Sequence, residues 1–194
     1  MRGLTYGTYP EVLYSMPASG AALANTVTRT LLSTASSATS SEPFRIPPTF
    51  WDPARSGGQA LLIECGGYIS TTGTPTFTFA AALDTTQGSY GTTLAATGAF
   101  TTASGLASAA FTARFRCAAQ ALGTSGTLSV TGELNIGAAA NAATTAATTY
   151  MLGTTSLVAV NTTVDNYLEI WGTWGTASAS NTVTLQQLFA WGLN

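Results

Sequence analysis

The chain has 194 residues, 45% of them hydrophobic and only 7% charged, with a formal net charge of −2. It contains no histidine, and all six of its basic residues are arginines. Without imidazole or ammonium side chains there is no Ser-His-Asp triad, no histidine-held metal and no Schiff-base lysine. The missing basic excess likewise argues against nucleic acid as a partner.

A hydrophobic fraction this high does not suit a disordered chain, and the length suits a single all-β unit. Residues 1–40 read as an N-terminal arm and low-complexity linker. Tyr6, Tyr9, Tyr14, Pro10 and Pro17 have no period, and residues 33–41 are almost entirely Ser, Thr and Ala. A weak strand is expected over residues 26–32. Aromatic anchors on an aperiodic segment suit an interface, so Tyr6, Tyr9 and Tyr14 are candidate partner-binding residues; packing back on the chain's own body is the other reading. Pro43, Pro47, Pro48 and Pro53 then interrupt any ladder.

Residues 41–194 read as a β-sandwich domain. Period-two alternation begins at residues 61–69, with Leu61, Ile63, Cys65, Gly67 and Ile69 on one face and Leu62, Glu64 and Tyr68 on the other. It continues through Phe77, Phe79, Ala81 and Leu83, then Phe111, Ala113, Phe115 and Cys117, with Thr112, Arg114 and Arg116 opposite. Leu128, Val130, Leu134 and Ile136 alternate with Ser129, Thr131, Glu133 and Asn135. The Ala/Thr-rich residues 137–149 are expected to loop, and residues 155–160 to form a weak strand. Leu168, Ile170 and Trp174 form the next inward row, and Val183, Leu185, Phe189 and Trp191 the last. Turn signals fall at residues 72–75, 87–91, 122–126 and 175–181. About eight strands, each with one apolar face, predict an all-β antiparallel β-sandwich of jelly-roll type with an extended N-terminal arm.

Little in the chain suggests chemistry. Cys65 and Cys117 lie in apolar runs and are expected as buried free thiols, with a bond between them left open. Glu64, Glu133 and Glu169 fall on strands whose outer faces might bring them together as a glycosidase pair, but strand acids ordinarily serve solvation. Arg114 and Arg116 are placed to pair with Glu133 or Glu169 across the sheet. Strand parity turns Trp171 and Tyr68 outward, which makes Trp171 a further candidate partner-binding residue. No catalytic residue, cofactor or metal site is expected, and no apolar run is long enough to imply a membrane. The N-terminus lacks the apolar stretch of a signal peptide, so synthesis in a cytoplasm is expected.

Two segments carry a resemblance. Residues 66–79, GGYISTTGTPTFTF, and residues 168–185, LEIWGTWGTASASNTVTL, resemble a pattern recurrent in virion structural proteins of tailed bacteriophages. The likeness spans roughly residues 25–194, leaves the arm unmatched and contains no catalytic motif. It departs at Leu62 and Glu64, where basic residues often alternate. The resemblance implies a jelly-roll-like sandwich on the capsid exterior of a virion, made in the bacterial cytoplasm. The expected role is a homotrimeric head decoration (cement) protein whose partners are the major capsid protein and sister copies of itself. The alternative it implies is a tail tip or fibre protein that binds a host cell-surface glycan.

Overall fold

The computed structural model describes residues 11–33, 44–51, 60–137, 148–153 and 156–193. Their strands are β1 (Glu11–Ser15), β2 (Leu23–Ala24), β3 (Thr30–Leu31), β4 (Phe44–Ile46), β5 (Ala60–Ser70), β6 (Thr76–Asp84) and β7 (Thr92–Ala96). They continue with β8 (Phe100–Thr101), β9 (Ala109–Ala121), β10 (Gly126–Ile136), β11 (Thr148–Gly153), β12 (Val158–Val160), β13 (Asn166–Trp174) and β14 (Thr182–Leu193). One 3-10 turn, Pro48–Trp51, is the single helical element among the described residues. Each long strand alternates buried and exposed side chains, as Phe111 to Cys117 do in β9, because a pleated strand turns successive side chains to opposite faces.

The strands form two antiparallel sheets packed against each other, so the expected all-β sandwich is the observed architecture. The larger sheet runs β1-β14-β5-β9-β10-β11, with β2 beside β1 on β14 and β12 beside β11 on β10. The smaller runs β3-β13-β6-β7, with β4 beside β3 on β13 and β8 beside β7 on β6. Each edge is thus tiled by two short strands rather than one long one. Short edge strands offer few unpaired backbone groups to another chain, which limits edge-to-edge pairing.

Residues 11–33, assigned from sequence to an arm, belong to the sandwich over this stretch. They supply β1 and β2 to one sheet and β3 to the other, and they bury Met16, Leu23 and Leu32. The expected strand over residues 26–32 is reduced to Thr30–Leu31, and Tyr6 and Tyr9 lie outside the described residues. Residues 148–149, expected in a loop, open β11 instead.

The core between the sheets is apolar throughout. Trp51, Trp174, Phe79 and Phe115 are its largest fully buried side chains. Trp174 packs on Phe77 at 4.6 Å between ring centroids and donates its indole N–H to the Leu23 carbonyl at 3.3 Å. Cys65 and Cys117 are buried free thiols, and burial pushes both up to about 12. Cys65 pairs across β5 and β9 with Ala113, whereas Cys117 pairs with Leu61. The two sit four residues apart along the ladder, about 13 Å at strand rise, beyond the roughly 7 Å a disulfide spans.

One parity in the last strand differs from the sequence reading. A bulge between Leu185 and Gln187 inserts an extra residue into β14. Val183, Leu185, Leu188 and Ala190 face the core, while Phe189 and Trp191 turn to the outer face and are only partly buried. A bulge sets two residues against one on the partner strand and so reverses the facing of everything after it.

Candidate functional site

The outer face of the larger sheet holds two adjacent, partly buried aromatic residues, Phe189 and Trp191, with charged and polar neighbours on the same rungs. Its central rung runs Phe189, Glu64, Arg114, Glu133 and Met151, each directly opposite the next across β14, β5, β9, β10 and β11. One rung along lie Trp191, Leu62, Arg116 and Thr131; on the other side lie Gln187, Gly66, Thr112 and Asn135. Phe189 and Trp191 stack with centroids 5.6 Å apart and planes 28° from parallel.

Gly66 shapes the centre of this face. A Cβ built there would lie 3.2 Å from the Gln187 amide nitrogen and 3.1 Å from the Phe111 carbonyl oxygen. Gln187 therefore lies directly over Gly66, beside a hollow of about 460 Å³ whose walls include Phe189, Trp191, Gln187, Asn135 and Thr112. A second hollow of about 380 Å³, lined by Leu62, Arg116, Thr131 and Met151 among others, shares Arg114 and Glu133 with the first. Together they form one groove across the strands.

The groove's charges are balanced between Glu64 and Glu133 on one side and Arg114 and Arg116 on the other. The Arg114 Nε donates to Glu64 Oε1, and its Nη2 ion-pairs with the same oxygen. Both side chains remain partly exposed, so the pair contributes at most about 1 kcal/mol. Arg114 therefore pairs with Glu64 rather than with Glu133 or Glu169. The Thr149 hydroxyl donates to Asn135 Oδ1 at 2.5 Å, which fixes that amide at the groove wall.

The three acids expected to share a face do not. Glu169 lies on β13 in the smaller sheet, 1% exposed, with Oε1 accepting the Gly88 N–H at 2.6 Å and Oε2 without a hydrogen bond. Burial raises its pKa, the Gly88 N–H lowers it, and the charge of Asp84 raises it further. Glu64 and Glu133 do share the groove, two strand spacings or about 10 Å apart at the Cα. Arg114 stands between them on the same rung.

The aromatic candidates also moved. Trp171 faces outward from the smaller sheet as its parity requires, yet it is only 7% exposed. Tyr90, from the β6–β7 connection, meets it edge to face at 5.5 Å, and the Arg29 guanidinium caps Tyr90 at 3.7 Å from the ring centroid. Trp171 packs locally under Tyr90, which leaves little of its surface open. Tyr14 is half-buried beside Phe44 at 5.5 Å, and burial raises its phenol pKa. Phe189 and Trp191 were missed as outward residues. The signal was present in Gln186-Gln187, two consecutive polar residues that break the alternation just before Leu188.

The chain matches no protein-family model, no curated protein and no solved structure. Among the described residues no three His, Cys, Asp or Glu side chains cluster to hold a metal ion. No helix among them is long and apolar enough to cross a membrane.

Proposed function

We propose that the chain is a non-catalytic structural protein of a bacteriophage virion, a homotrimeric head decoration protein that cements the capsid exterior. The observation that supports this reading most is a nearly uncharged surface that exposes large apolar side chains. Charged residues make up 7% of the chain, against roughly a quarter of all residues in ordinary soluble domains. Leu122 and Val164, both exposed, flank the β9–β10 turn and the segment after β12 at one end of the sandwich. There the Gly123 N–H donates to the Thr162 hydroxyl at 2.8 Å, tying the β9–β10 turn to the segment after β12. An apolar end of this kind gains by being covered, at about 25 cal/mol per Å² less the cost of association.

In this reading the end patch seats on the major capsid protein, and the segment carrying Tyr6 and Tyr9 extends onto the shell or a sister subunit. The test is co-sedimentation with capsid shells that lack the chain. The intact protein binds at saturable occupancy, and the double variant Leu122→Asp, Val164→Asp does not. Removing residues 1–9 lowers occupancy while keeping β1, whose loss would strip an edge from the larger sheet. Failure of the intact protein to bind shells rejects the proposal; unchanged occupancy after the truncation rejects the role of Tyr6 and Tyr9.

A further inference from the structure

The groove on the larger sheet stands apart from the proposed capsid-facing end, and its chemistry indicates a different ligand. We infer that it is a binding site for an uncharged saccharide chain, held without cleavage. A sugar ring has faces of C–H groups and an equator of hydroxyls. The C–H face suits the electron-rich face of an aromatic ring, and planar amides, carboxylates and guanidinium groups take neighbouring hydroxyls in pairs. The groove holds both kinds of surface along one run of neighbouring strands. Trp191 and Phe189 stack along one wall, Asn135 and Glu133 lie three strands away, about 14 Å at the backbone, and Gln187 lies over Gly66 on the side of the aromatic pair.

The groove's size and shape agree with this ligand class. Its larger hollow of about 460 Å³ lies within the roughly 300–1,000 Å³ range of small-molecule sites. The second hollow continues past the shared Arg114 and Glu133, so a linear chain can run across the strands rather than end in a pit. Charge balance selects against strongly ionic polymers. Glu64 and Glu133 oppose a polyanion, and Arg114 and Arg116 oppose a polycation. Binding without turnover follows from the middle of the groove, where Arg114 occupies the rung between the two carboxylates and is bonded to one of them.

The test titrates the full-length protein with chitotetraose, cellotetraose and maltotetraose by calorimetry, with a heparin tetrasaccharide as the charged comparison. Tryptophan fluorescence is followed in parallel, because Trp51, Trp171 and Trp174 are buried and only Trp191 is partly open to a ligand. At least one neutral tetrasaccharide binds saturably with a Kd of about 1 mM or tighter and shifts the emission. Glu133→Gln and Asn135→Ala each weaken that binding about tenfold with unchanged circular dichroism. Trp191→Ala abolishes it, and Trp191→Phe restores most of it. The inference is overturned by no binding to any of the three neutral chains, by a preference for heparin, or by full binding in the Glu133 and Asn135 variants. Release of new reducing ends overturns binding without cleavage. Loss of capsid binding in the Leu122 and Val164 variant leaves this result untouched, so the two proposals fail separately.

Discussion

Replacing Glu169 by Gln tests the burial of a carboxylate that the fold leaves half satisfied. Glu169 is 1% exposed; one oxygen accepts the Gly88 N–H and the other has no hydrogen-bond partner. Burial, with Asp84 adding to it, raises its pKa above the ordinary 4.5. The folded state therefore holds a proton over a pH range in which the unfolded chain has lost it. When the native state binds more protons, unfolding free energy falls as pH rises. The Glu169 contribution is thus fully present below about pH 4.5 and is lost as pH climbs through the raised native value.

Glutamine keeps an acceptor for Gly88 and removes the ionisation. Its amide nitrogen takes the place of Oε2 and stays unpaired, so what the change removes is the buried charge, worth about 1–3 kcal/mol at pH 8 and little at pH 4. With a urea m-value of about 2 kcal/mol per M, the midpoint rises by about 0.5–1.5 M at pH 8. The assay is urea unfolding of both proteins across pH 4–9. Parallel stability curves, or a variant whose disadvantage grows with pH, would refute the burial and the sign of the shift.

Other outcomes follow from the packing. Cys65 and Cys117, pushed up to about 12 by burial, do not react with Ellman's reagent at pH 8 in the native protein and both react in denaturant. Rapid labelling of the native protein would place them at the surface. Gly67→Ala destabilises by about 1–3 kcal/mol or more, because its Cβ would overlap the Thr184 carbonyl of the neighbouring strand; thermal melts measure it. Phe79→Ala costs about 3–5 kcal/mol in chemical unfolding, as expected of a side chain 1% exposed between the sheets. Arg114→Ala changes stability by less than about 1 kcal/mol, and a larger loss would mean its ion pair with Glu64 is shielded from water.

Much of the fold was legible because burial enforces alternation. Phe111 to Cys117 and Leu128 to Ile136 face the core as their period says, and the turns after β5, β6, β9 and β13 fall where Gly, Pro, Asn and Ser gather. Strands of two or three residues, such as β2, β3 and β8, are too short to show a period, and tertiary pairing alone defines them. β11 opens in an Ala/Thr-rich stretch with no apolar row to announce it. The groove was hidden for a sharper reason. A single bulge reversed Phe189 and Trp191, and no count of apolar positions registers a reversal unless the doubled Gln186-Gln187 is read as one. Trp171 shows the opposite failure: its facing was legible, but its cover comes from Tyr90, about eighty residues away in sequence and adjacent only after folding.

Electron cryomicroscopy of capsid shells incubated with the full-length chain puts the central claim to the most direct test. The account predicts trimeric density on the outer surface with the Leu122–Val164 end of each sandwich against the shell and the groove facing solvent. Bare shells beside free protein, or density with the Leu122–Val164 end turned away from the shell, would contradict it.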